Sequence, residues 1–407
     1  MSGPEYTVVE VLQGKWWIAA VAFAVSLVAT PILRAVAYRL KVVDRPDDLL
    51  KPHGRPIAYL GGAAMCIGLL AGLGCYVAVM PGWRQHAKRL SASLLSGEVG
   101  SVLANPLWNV LAIAVASVLI MVVGLLDDIR DITPRKKVLG QVLAAGVLLV
   151  GGVGDRMVTV FLSIFPWGPP GWVVVPLSVV MCLVAVIAAC NATNLLDGLD
   201  GLCGGVTGII SLGFLALAVW LAMWGRYPGT DELRVGLCLA MAGAVWGFLP
   251  YNIPPASIFM GDAGSMLLGF FVATMLALFC EEGTSRWLLA ALAVFALPIL
   301  DTALAVVRRV LMGRNIFAGD RSHLYDQLVD RGMSVKQVVV LFYLLALVAA
   351  ALGVSLAIWL RGRHALIIYA VLLVGIWVAF WRLGMINPES DEPALPEPPE
   401  PPDRGGD

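Results

Sequence analysis

From Trp172 to Cys190 the chain carries no charged side chain. A bilayer span takes about 20 mostly apolar residues, so this run is long enough to cross a membrane. It is one of many. Eleven candidate spans begin near Trp16, Tyr59, Leu107, Lys137, Trp172, Gly205, Val235, Gly264, Trp287, Gln337 and His364. With 59% hydrophobic and 14% charged residues and a mean hydropathy of +0.85, the 407-residue chain has far more apolar surface than a soluble domain needs. The fold class is therefore all-α: a polytopic integral membrane protein of about 11 transmembrane helices. Residues 1–386 form the multi-span domain. Residues 387–407, rich in Pro and acid and without periodicity, read as a disordered cytoplasmic tail.

The net charge of zero says little; its distribution says more. With the N-terminus outside, the odd-numbered connections face the cytoplasm. Those connections and the tail hold 18 of the 28 Lys and Arg, as the positive-inside rule requires. Glu5 and Glu10 precede the first span, and no basic segment of a cleaved signal peptide does. Eleven spans then leave the C-terminus in the cytoplasm. The seven cysteines show no CxxC pair and read as small packing residues.

Charged and amide side chains at span ends are costly unless they bind something. Asn191, Asn194, Asp197 and Asp200 recur at intervals of three, which on a helix would place four oxygen-bearing groups on one broad side. Asp127, Asp128 and Asp131 cluster at the end of the third span, with Arg135, Lys136 and Lys137 following. Adjacent carboxylates repel one another unless a cation joins them, although the cluster could also pair with its own lysines. Asp262 lies in a Gly-bounded turn before another span, where it could be a metal ligand or simply a helix N-cap. Asp301 sits inside apolar sequence, either as a functional group or paired with Arg308. In the loop beyond it, Asp320, Arg321, His323 and Asp326 lie close together.

All these motifs fall on odd-numbered connections, hence on one face of the membrane. Carboxylates for Mg²⁺ and cations for phosphates suit pyrophosphate chemistry. No Ser-His-Asp arrangement, zinc spacing or Walker loop accompanies them. The blocks follow one another along the chain, beginning with D127-D-I-R-D, K137-V-L-G-Q and N191-A-T-N-L-L-D-G-L-D-G. After these come the segment from Pro255 to Ser265, reading P-A-S-I-F-M-G-D-A-G-S, then D301-T and G319-D-R-S-H. In this order they resemble the polyprenyl-phosphate N-acetylhexosamine-1-phosphate transferases, relatives of phospho-MurNAc-pentapeptide translocase.

The resemblance implies that a polyprenyl phosphate (undecaprenyl or decaprenyl) attacks the β-phosphorus of a UDP-N-acetylhexosamine and releases UMP. The lipid-linked pyrophosphoryl sugar would serve cell-envelope glycan synthesis. Asp127, Asp128, Asp262 and His323 would be catalytic, with Asp262 and Asp128 holding Mg²⁺, for which Mn²⁺ could substitute. Asn191, Asn194, Asp197 and Asp200 would line the nucleotide and metal pocket, with Asn252 and Phe259 around the uracil and Lys137, Arg321 and His323 on phosphates. The site would face the cytoplasm from the inner membrane. Nucleic acid is not an expected partner, and a homodimer is allowed. Where the sugar-transferase branch often shows His-x-His-His and the translocase branch a triple His, this chain reads H323-L-Y-D. That departure argues against a MurNAc-pentapeptide substrate, with GlcNAc-1-phosphate first and another N-acetylhexosamine next.

Two other classes share parts of the pattern. A UbiA-like intramembrane prenyltransferase also uses Asp-rich motifs with Mg²⁺, and Asp127/Asp131 and Asp326/Asp330 match its D-x-x-x-D spacing. It leaves the Asn191 and Asp262 blocks unexplained. A proton-coupled transporter would use Asp301 and Asp262 as relay groups, but would distribute acids through the depth of the spans.

Overall fold

The computed structural model describes residues 4–44, 56–162, 170–225, 228–281, 284–313, 323–360 and 362–386. Among them the long helices are α1 (Trp16–Leu40), α2 (Gly61–Val79), α3 (Pro106–Arg130), α4 (Pro134–Val150), α5 (Gly171–Leu196) and α6 (Leu202–Ala222). There follow α7 (Pro228–Phe248), α8 (Gly261–Cys280), α9 (Ser285–Val294), α10 (Ala296–Leu311), α11 (Val335–Trp359) and α12 (Gly362–Arg382). The protein is an all-α polytopic membrane protein.

The span count differs from eleven. Nine helices among the described residues are long and apolar enough to cross a membrane, and a bent pair raises this to ten. The pair is α9 and α10, which meet at 72° just ahead of Pro298. The remaining candidate, α4, has 17 residues. Its first turn is spent on Pro134, Arg135, Lys136 and Lys137, which leaves too short an apolar stretch to span alone.

The bundle is arranged around α8. All of its central window is buried, against 6% for α12 at the other extreme. Inside a membrane, helices gain little from leaving lipid, so close packing must hold them together and small residues favour it. Gly124 of α3 shows this: a Cβ there would overlap the Asp262 carbonyl at the start of α8. Gly261 opens α8 with φ +65°, a conformation that suits a residue without a Cβ.

Both ends of α8 are tied. At its start, Asp128 at the end of α3 accepts from the backbone N–H of Asp262 and Ala263. At its other end, the fully buried Arg234 of α7 donates to the Leu278 carbonyl at 2.7 and 3.1 Å and pairs with Asp231 at 2.7 Å. An acid at the N-terminus and a cation at the C-terminus both complement the helix dipole.

A short ribbon closes the end of the bundle that carries Asp262. β1 (Val43–Asp44) pairs antiparallel with β2 (Ile57–Ala58), and Ala58 bridges to Ile258. Phe259 then donates its N–H to Ala58 and accepts from Gly61, which laces the entry of α8 to that of α2. The proposed tail, and Arg321 and Asp320 with it, lie outside the described residues.

Candidate active site

The connection from α3 to α4 is short because each end is fixed locally. Asp131 closes α3 in a left-handed conformation, φ +45°, and Thr133-Pro134 starts α4. The chain therefore reverses within a few residues, and the first turn of α4 lies against the last turn of α3. Lys137 consequently meets Asp127, with Nζ 2.8 Å from Oδ2. The same ammonium contacts Asp262 Oδ2. Two carboxylates from different helices thus share one lysine.

Asn194 completes this cluster from α5. Its Nδ2 donates to Asp262 Oδ1 at 2.6 Å and to Ser265 Oγ at 3.0 Å. One helical turn along α8 from Asp262, the carbonyl of Ser265 accepts from the Thr193 hydroxyl at 2.7 Å. Nothing in the spacing of the polar residues pointed to Ser265 or Thr193, because each reads as an ordinary small residue inside a span. Asp128, one residue from Asp127, is turned the other way: Oδ1 accepts from Asp262 N at 2.7 Å and Oδ2 from Ala263 N at 3.1 Å. Each oxygen keeps a lone pair free for a cation.

The four residues spaced by three do not share a side. α5 ends at Leu196, so only Asn191 and Asn194 stand on it, while Asp197 caps it and Asp200 lies in the turn beyond. Asn191 donates to the Ile187 carbonyl and, at 3.4 Å, to Gln141 Oε1. Asp200 accepts from the Ala256 N–H at 2.8 Å. Asp197, half-buried, is the one that answers to the cluster: burial pushes its carboxyl well above the usual range, and Asp262, Asp128 and Asp200 push the same way. Gly198 and Gly201 after it explain the break, since the run that looked helical contains its own terminator.

Asn252 is buried and uses both ends on backbone, Oδ1 accepting from Gly201 and Nδ2 donating to Ile258, each at 3.1 Å. It therefore ties the turn after α5 to the loop before α8. Phe259, half-exposed on that loop, faces the Tyr59 ring at 6.0 Å between centroids. Gln141, one turn after Lys137, is buried, and its Nε2 has no hydrogen-bond partner among the described residues. His323 stands apart from the lysine cluster: it contacts Asp301, whose other oxygen accepts from the Leu324 N–H.

The donor set facing Lys137 is carboxylate oxygen, the type that Mg²⁺ takes one or two of alongside substrate phosphates. Among the described residues no three His, Cys, Asp or Glu groups enclose a cation by themselves. The arrangement fits an ion completed by substrate rather than a closed protein cage.

A model of glycosyl transferase family 4 matches residues 110–280, the stretch from α3 through α8 that supplies every member of the lysine cluster. A decaprenyl-phosphate N-acetylglucosaminephosphotransferase of Mycolicibacterium smegmatis is 31% identical over 90% of this chain and 88% of its own length. The chain belongs to the polyprenyl-phosphate N-acetylhexosamine-1-phosphate transferase family. A probable undecaprenyl-phosphate N-acetylglucosaminyl 1-phosphate transferase of Bacillus subtilis is 29% identical over 90% of this chain and 92% of the relative. A phospho-N-acetylmuramoyl-pentapeptide-transferase of Desulforudis audaxviator is 31% identical over 83% of this chain and 96% of the relative. Overall identity thus does not separate the family's two sugar branches; the residues around His323 have to.

Proposed function

We propose that this phosphosugar transferase moves GlcNAc-1-phosphate from UDP-GlcNAc to a polyprenyl phosphate, releasing UMP. The observation that carries the reading is the Asp127–Lys137–Asp262 cluster, built where α3 ends and α4 and α8 begin, in a chain that aligns with GlcNAc-1-phosphate transferases over nine-tenths of its length. In the reaction, an oxygen of the lipid phosphate forms a bond to the β-phosphorus of the UDP-sugar. The bond from that phosphorus to the bridging oxygen breaks, and UMP leaves with the electron pair.

Repulsion between two phosphates is the main obstacle, and the site's residues are suited to remove it. Lys137 is held within reach of both carboxylates and can pair with a substrate phosphate oxygen. Asp127 would take a proton from the lipid phosphate. Mg²⁺, or Mn²⁺ in its place, would be held by Asp262 and Asp128 and would supply Lewis-acid relief of the pyrophosphate charge. Asn194 fixes the orientation of Asp262. The positive-inside distribution supports a site on the cytoplasmic face of the inner membrane, where a soluble nucleotide can meet a lipid.

The test is to incubate purified protein with Mg²⁺, polyprenyl phosphate and a panel of UDP-sugars, and to measure UMP. Release with UDP-GlcNAc well above UDP-MurNAc-pentapeptide is expected, because Tyr325 and Asp326 stand where the translocase branch carries histidines. No UMP from any sugar, with protein that remains monodisperse, would sink the reading.

A further inference from the structure

The Asp301–His323 contact lies outside the lysine cluster and joins two distant elements. Asp301 is on α10, the second limb of the bent pair, and is 1% exposed; His323 precedes the short helix Leu324–Asp330 and is 4% exposed. Asp301 Oδ2 sits 2.9 Å from His323 Nδ1, while Oδ1 accepts the Leu324 N–H at 2.7 Å. A carboxylate has no hydrogen to give, so the hydrogen of this contact belongs to Nδ1. Nε2 is then the polar atom of the ring that the contact with Asp301 leaves over.

The ring is held in other ways as well. Its face stacks on Tyr325 with centroids 5.5 Å apart and planes 6° apart. The Tyr325 hydroxyl donates to the Leu195 carbonyl at 3.1 Å, one residue beyond Asn194. The backbone N–H of His323 donates to Asp326 at 3.3 Å. Carboxylate, aromatic face and backbone together fix where Nε2 is carried. An ionisable residue in apolar helix is costly, and here both its oxygens are engaged with this one loop.

We propose that Asp301 is a positioning residue that holds His323 as the Nδ1–H tautomer and so offers Nε2 to a substrate phosphate. Neutral, Nε2 accepts a proton; protonated, it donates a hydrogen bond, and Asp301 steadies the imidazolium. The identity of that substrate rests on the transferase reading, but the tautomer does not.

The experiment has two arms. In ¹⁵N-histidine-labelled protein, His323→Gln identifies the His323 signals among the chain's four histidines. Wild type is expected to show the Nδ1–H tautomer. Asp301→Asn, whose amide can donate to Nδ1, is expected to move the signals toward the Nε2–H form. In UMP release, Asp301→Asn should cost roughly tenfold or more, the usual loss when a carboxylate that orients a working histidine is removed. In the His323→Gln background the same change should cost no more than about twofold, since both act as one unit. An Nε2–H tautomer in wild type, or multiplicative losses in the double variant, would overturn the proposal. Absence of UMP release from wild type would instead count against the transferase reading, with the tautomer comparison still deciding the pairing.

Discussion

Lys137 is the residue on which the electrostatics of the site turn. Its ammonium contacts both Asp127 and Asp262. Lys137→Met is expected to lower UMP release by about 100-fold, the range seen when a single charge-stabilising group is removed from a preorganised site. Lys137→Arg should fall between, since its charge survives but not its point-like geometry. Away from the spans, burial pushes the Asp326 carboxyl up to about 6, against the opposing pull of His323. The unfolded carboxyl titrates near about 4, so the folded state holds this proton more tightly. The stabilisation is full below about pH 4 and is lost as the pH rises through about 6. Asp326→Asn removes that dependence. The variant should therefore gain on wild type by about 1 kcal/mol between about pH 4 and pH 7, read as melting temperature in detergent. At this scale the sequence was informative about which residue types gather, and silent about who faces whom. Asp127 and Asp262 could be marked as acids at span ends, but their common lysine depends on a chain reversal that only the fold brings about. Asp301 had Arg308 as its nearest sequence partner, yet it pairs with His323, twenty-two positions away.

Among the elements, α8 decides where the site is. Its first turn is set by Asp128 and by the close approach of Gly124, and its last by Arg234. Gly124→Val would drive a side chain into the Asp262 backbone. The expected cost is about 1–3 kcal/mol, the usual range for overpacking, with activity falling further than stability because Asp262 is displaced. Arg234→Met should destabilise the protein while leaving the residues of the site in place. Breaking this buried ion pair, together with the hold on the Leu278 carbonyl, should cost about 3–5 kcal/mol. Thermal unfolding and UMP release, measured on the same preparations, separate the two cases. The apolar runs that became helices were legible from length alone. The break after Leu196 was legible too, in Gly198 and Gly201, but a regular three-residue spacing of polar groups concealed it. The bend between α9 and α10 had its sign in Pro298, whereas the brevity of α4 followed from counting its basic first turn as polar.

For the whole molecule, membrane class and family were readable from the chain, because several motif blocks in one order are specific where each alone is weak. How the blocks meet was not readable, since it depends on close packing between helices whose outer faces are uniformly apolar. Chelation of divalent ions should abolish UMP release and restored Mg²⁺ should recover it, without a change in melting temperature of the size expected for a structural metal. The complete burial of α8 has a mechanical consequence. A span that touches lipid must tilt or shift when the bilayer is thinner or thicker than its apolar length. α8 is buried within the protein and its two ends are fastened to it, so bilayer thickness acts on the less buried helices, α1, α5, α11 and α12 among them, and reaches Asp262 only through packed neighbours. Reconstitution into short- and long-chain phosphatidylcholine discs should therefore alter the protein's melting temperature more than its turnover. The outer helices would serve as a suspension, and Asp262 at the start of α8 as the part it keeps still.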